Sequence, residues 1–72
     1  MNVVYVVFDM DNFIIGVYRT VESAKKRALE EIEYIWNKNN FSESEKSDFI
    51  SQLNDNLDVE DIVYINPETL YD

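Results

Sequence analysis

Residues 3–18, VVYVVFDMDNFIIGVY, decide the architecture of this chain. Val3 to Phe8 is an unbroken β-branched and aromatic run, too short for a helix and suited to a strand with apolar side chains on both faces. Asp9-Met10-Asp11-Asn12 then supplies turn chemistry, because Asp and Asn accept local backbone hydrogen bonds and tolerate unusual dihedrals. Phe13 to Tyr18 resumes the strand composition, so the stretch predicts a hairpin closed by a loop of about four residues. Gly16, the only glycine, falls inside the second strand and predicts a bulge or a close approach by another backbone.

Working outward, Thr20 is positioned as an N-cap and Glu22 lies near the positive end of the helix that follows. Val21, Ala24, Ala28, Ile32 and Ile35 recur at helical spacing, with Leu29 and Trp36 widening the stripe. Lys26, Arg27, Glu30 and Glu33 fill the opposite face, so the segment predicts an amphipathic helix of about 17 residues. It closes in the polar cluster Asn37-Lys38-Asn39-Asn40. Ser42 and Glu45 then have capping-box spacing, and Phe49, Ile50, Leu53 and Leu57 predict a second helix from Glu43 to Asn54. Asp61 to Ile65 returns to strand composition, and Pro67, which cannot donate to a ladder, is expected to end it.

The expected order is β-β-α-α-β in a single α+β domain, residues 1–72. Two antiparallel helices return the chain so that the third strand runs parallel to the first, in a three-stranded sheet of order 2-1-3 with both helices on one face. Alternation places Val3, Tyr5 and Val7 on one face of the first strand and Val4, Val6 and Phe8 on the other. In the second strand it separates Phe13, Ile15 and Val17 from Ile14 and Tyr18. One sheet face is thus expected to remain uncovered and apolar, and a homodimer built through the sheet or its edge is expected.

Composition narrows the chemistry. A domain near 72 residues buries only about 60% of its unfolded surface and often needs disulfides, metals or oligomerisation. The chain has no cysteine and no histidine, which removes disulfides, thiolate or imidazole metal ligands and Ser-His-Asp catalysis, and leaves oligomerisation. Its 46% hydrophobic content, with one Trp, five Tyr and four Phe, exceeds that of disordered acidic segments, so a folded domain is expected. The opening has no basic leader and the apolar run stops at Asp9, so a cytoplasmic protein with no membrane partner is expected. Asn40-Phe41-Ser42 fits a glycosylation sequon by chance.

Other motifs have plain readings. Asp9, Asp11 and Asn12 offer oxygen ligands, but they lack the calcium-loop pattern and read as a hairpin turn; no metal or cofactor is expected. Glu30/Glu31/Glu33 and Glu60/Asp61 are acid pairs of the kind glycosidases use, but a chain this small has little room for a cleft, and no enzyme is expected. Lys25-Lys26-Arg27 is followed one turn later by Glu30 and Glu31, so direct nucleic-acid binding is not expected. Tyr34, on the polar helix face, and Tyr71 are candidate contact residues because Tyr is enriched at interface hot spots.

The net charge of −9 is unevenly placed. From Glu43 onward nine carboxylates face one cation, Lys46, whereas residues 1–42 carry six acids and five bases. Such a half repels anions and concentrates basic partners. Glu43, Glu45, Asp48, Asp55, Asp58, Glu60 and Asp61 are the candidate partner-binding residues, an array of carboxylates in the role of duplex phosphates.

The hairpin opening VVYVVFDMDNFIIGVYRTVESA, the paired-helix middle and the acidic close resemble the small acidic early, host-takeover proteins of bacteriophages. In size and charge the chain is similar to the Bacillus phage DNA mimics that inhibit the nucleoid-associated protein HU. The resemblance lies in overall form and implies a dimeric, non-catalytic inhibitor in the host bacterial cytoplasm. Its partner would be a basic host DNA-binding protein, HU-like, whose DNA binding it blocks. The alternative reading is an interaction adaptor that docks a partner on its apolar sheet face or an edge strand.

Overall fold

The computed structural model describes residues 2–70. Strand β1 (Asn2–Asp9) and strand β2 (Ile14–Tyr18) form the expected antiparallel hairpin. Helix α1 (Val21–Asn39) and helix α2 (Glu43–Asn56) follow, then a two-residue strand β3 (Asp58–Val59) and strand β4 (Val63–Leu70).

Each helix begins and ends on a local device. The Thr20 hydroxyl accepts from the Ser23 amide at 3.2 Å, and Asn40 ends α1 in the left-handed conformation at φ 54°. At α2 the capping box is complete: Ser42 Oγ accepts from the Glu45 amide, and Glu45 Oε1 accepts from the Ser42 amide. The connection between helices is pinned by Trp36 Nε1, which donates to the Ser42 carbonyl at 2.9 Å, and by Phe41 packed edge-on against Phe49.

The helices cover one face of the sheet. Ala24, Ala28, Ile32 and Ile35 of α1 and Leu53 of α2 pack with Val7, Val59, Ile62, Val63 and Ile65 in a single core, to which Tyr5, Ile15 and Tyr18 contribute. Two fully buried alanines on α1 let that helix approach the sheet closely.

The sheet corrects three expectations. It has four strands in the order β2-β1-β4-β3, not three in the order 2-1-3, and every pairing is antiparallel. The cause lies in Asp58–Val63, where the sequence pattern shows only a lead-in to a strand. Asp58 and Val59 pair with Tyr64 and Val63, and the Ile62 amide donates to the Val59 carbonyl at 3.0 Å across a tight turn. Asp61 takes the left-handed conformation at φ 63°, which Asp tolerates. That hairpin adds one reversal of direction, so the last long strand meets β1 antiparallel.

Pro67 does not end the strand. β4 continues to Leu70, with Pro67 opposite Tyr5. β3 flanks β4 only at Val63 and Tyr64, so at Pro67 the outer side of the strand is a free edge, where proline is tolerated.

The face assignment of β2 changes as well. Val17 pairs with Val6 and Gly16 with Val7, but Ile14, not Ile15, pairs with Phe8. This bulge inserts Ile15 as an extra residue, turns Ile15 and Tyr18 to the core, and leaves Ile14 and Val17 together on the open face. Gly16 lies beside the expected bulge, but what approaches it closely is the Tyr18 ring, a side chain and not another backbone.

Candidate functional site

The seven candidate acids are all exposed. They divide between two elements. Glu43, Glu45, Asp48 and Asp55 are on α2, which the amphipathic spacing of Phe49, Leu53 and Leu57 lays against the core. Asp48 and Asp55 are seven residues apart, about two turns, and share the solvent face at a separation of about 10 Å along the axis. Glu43 and Glu45 both lie in the first turn of the helix, near its positive end, and Glu45 also closes the capping box. Asp58, Glu60 and Asp61 belong to the β3–β4 hairpin.

The hairpin acids meet residues from the opposite end of the sequence. A hollow of about 250 Å³ is lined by Asp58 and Asp61 together with Asp9, Asn12 and Tyr64. Asp9 Oδ1 accepts from the amides of Asp11 and Phe13, so its carboxylate holds the β1–β2 turn in shape. The Tyr64 hydroxyl donates to Asn12 Oδ1 at 3.4 Å and its ring stacks on Phe8, which ties the two turns together. Asp9 therefore joins the acidic surface, although the charge count along the chain assigns it to the balanced half. A last strand parallel to the first would set these two turns at opposite ends of the sheet; the antiparallel pairing of β1 with β4 brings them to one end. No cluster of acidic, histidine or cysteine side chains suited to a metal occurs among the described residues.

The one cation of the acidic half is turned away from it. Lys46 Nζ lies 2.6 Å from Glu33 Oε1 on α1 and 4.7 Å from the centre of the Trp36 ring. The other ion pair among the described residues is Arg27–Glu31, within α1. None of the seven candidate acids has an ion-pair partner among the described residues. Their spacing is nevertheless coarser than a duplex. Four acids over the roughly 21 Å of α2 compare with one phosphate charge per about 1.7 Å of DNA axis, so the surface offers separate contacts and not a continuous rail.

Comparison with protein-family models, with curated proteins and with solved structures identifies no match for this chain.

The second candidate surface is the open sheet face. Val4, Val6 and Phe8 of β1, Ile14 and Val17 of β2, and Tyr64, Asn66, Glu68 and Leu70 of β4 occupy it by register. Ile14, Val17 and Leu70 are 61%, 56% and 50% exposed. Tyr34 is exposed on α1 with the Lys38 ammonium near its ring, whereas Tyr71 lies outside the described residues. No described helix is long and apolar enough to cross a membrane.

Proposed function

We propose that this chain is a non-catalytic, acidic binding protein that occupies the DNA-binding surface of a basic DNA-binding protein, with HU-like nucleoid proteins as the first candidate. One observation carries the reading: the seven exposed carboxylates have no ion-pair partner among the described residues, while Lys46, the cation that lies among them in sequence, is held by Glu33 and Trp36. Exposed, unopposed acids generate a field that speeds encounter with a basic groove and compete there with phosphates. The contact residues are Glu43, Glu45, Asp48, Asp55, Asp58, Glu60 and Asp61, with Asp9 at the margin of the same surface.

The test is competition. Purified HU bound to a labelled duplex is titrated with the protein at several salt concentrations, and displacement is expected to weaken as salt rises. Reversing Glu43, Asp48, Asp55 and Glu60 to lysine should abolish displacement with the circular dichroism spectrum unchanged. Full displacement by that variant would overturn the proposal.

A second reading is favoured by the open apolar face and by β2, an edge strand hydrogen-bonded on one side only. The chain would then be an adaptor whose partner adds to that face or edge. Salt-insensitive binding that survives acid reversal and is lost on Ile14→Glu selects this reading.

A further inference from the structure

The open sheet face carries a charge pattern that complements itself. The register gives its rows: Ile14, Phe8, Tyr64 and Asp58 cross the sheet together, then Val17, Val6 and Asn66, then Val4 with Glu68, then Asn2 with Leu70. Arg19 directly follows β2 and lines a hollow with Val4, Asn2 and Leu70, which places it on the β2 side of the row that Glu68 ends on the β4 side. The face thus has an apolar centre, one cation, Arg19, on the β2 flank, and Glu68 and Asp58 on the opposite flank. Arg19 has no ion-pair partner among the described residues, and Glu68 accepts a hydrogen bond from Asn66 only.

We propose that this face is covered by a second copy of the chain, stacked sheet on sheet about a two-fold axis parallel to β1. Such an axis lays β2 of each copy over β4 of the other and keeps rows in step, so Arg19 of each copy meets Glu68 of its partner, twice by symmetry. Val4, Val6 and Phe8 lie along the axis and meet their own counterparts. A two-fold axis across the strands would instead set Arg19 against the Ile14–Phe8–Tyr64 row and leave both charges unmatched. The aligned arrangement is the ordinary way in which two twisted sheets pack face to face.

The area suits a second copy of the same size. β1 and β4, about 26 Å long, and β2, about 17 Å long, at a spacing of about 4.8 Å present a footprint of roughly 330 Å², and the corrugation of side chains raises the accessible area to roughly 450–530 Å² per copy. Two such faces bury about 900–1,050 Å², at the lower bound for a specific interface, so a reversible dimer is expected. Both α2 helices then lie on the outside and their acids stay free, while Asp58, beside Tyr64, lies at the rim of the interface.

This inference is independent of the proposed partner, and salt separates the two. Each chain carries −9, so screening should tighten the dimer, whereas it weakens binding to a basic partner. Sedimentation equilibrium of the full chain, from about 1 μM to about 1 mM, spans the range in which interfaces this small assemble. The expected result is a species of twice the 8.5 kDa chain mass whose dissociation constant falls with added salt. Val17→Glu should leave only monomer, and Leu29→Glu, on the exposed side of α1, should leave the dimer intact. Arg19→Glu and Glu68→Arg should each raise the dissociation constant about five- to tenfold, and the double reversal should restore it. A monomer throughout the range would overturn the proposal, as would a dimer indifferent to Val17→Glu, which would point to edge pairing. Failure of the double reversal to restore assembly would overturn the two-fold axis proposed.

Discussion

The Tyr18 ring lies across Gly16 on the core side of β2, so close that a Cβ at residue 16 would overlap the ring. The backbone there is ordinary for an L-residue, so the constraint is steric and not conformational. Gly16→Ala should therefore destabilise the fold by about 1–3 kcal/mol through overpacking. Combined with Tyr18→Ala the loss should be less than additive, because the second change removes the obstacle. Urea denaturation midpoints of the four variants measure this.

Ser42→Ala removes the acceptor for the Glu45 amide and half of the capping box, and should cost about 1 kcal/mol. Glu45→Gln keeps a side-chain carbonyl for the Ser42 amide and should change the thermal midpoint little. The same substitution removes one charge from the proposed contact surface, so displacement of DNA from HU should weaken. Loss of stability with unchanged displacement would assign Glu45 to the cap alone.

Lys46→Gln breaks the link to Glu33 and the contact with the Trp36 ring. The pair is part-exposed, with side chains 21% and 51% accessible, so screening keeps its worth below about 1 kcal/mol. The substitution takes the net charge from −9 to −10 and frees Glu33, and should tighten binding to a basic protein at low salt. Weaker binding would mean that Lys46 itself faces the partner.

Ile32 and Leu53 are fully buried, one from each helix. Either one changed to Ala should cost about 2–5 kcal/mol. A domain of this size has little stability to lose, so the far-ultraviolet dichroism of these variants should already be reduced at 37 °C. If the face-to-face dimer forms, raising the protein concentration should recover part of it.

Helices, caps and the first hairpin were legible because their signals are local. Thr20, Ser42 and Glu45 act within three residues of themselves, and Ala24 to Ile35 repeat at one period. The failures have a common origin in short, irregular stretches where no period can develop. β3 is two residues long and its turn depends on Asp61 at positive φ. Gly16 signals a bulge, but that Ile15 is the extra residue, and that alternation therefore shifts by one, follows only from the pairing of Ile14 with Phe8. For Pro67, what counts is whether the strand has a neighbour on its outer side, a fact of topology. The site was legible as a list of acids but not as a surface. Exposure of all seven could be expected from their chemistry, whereas the capture of Lys46 by α1 and the arrival of Asp9 beside Asp58 and Asp61 are tertiary facts.

The pairing of β1 with β4 sets the order in which the chain can fold. The two longest strands, residues 2–9 and 63–70, are the central neighbours of the sheet, although they come from opposite ends of the described chain. During synthesis VVYVVF emerges well before residues 63–70 and waits, with β2 as its available neighbour, until they clear the ribosome. Contacts this distant in sequence slow folding, and an unpaired apolar strand is a template for aggregation in the meantime. Expression yield should consequently depend on translation rate and holdase chaperones more than the small size of the domain suggests, and a fragment that stops before Val63 should accumulate in inclusion bodies.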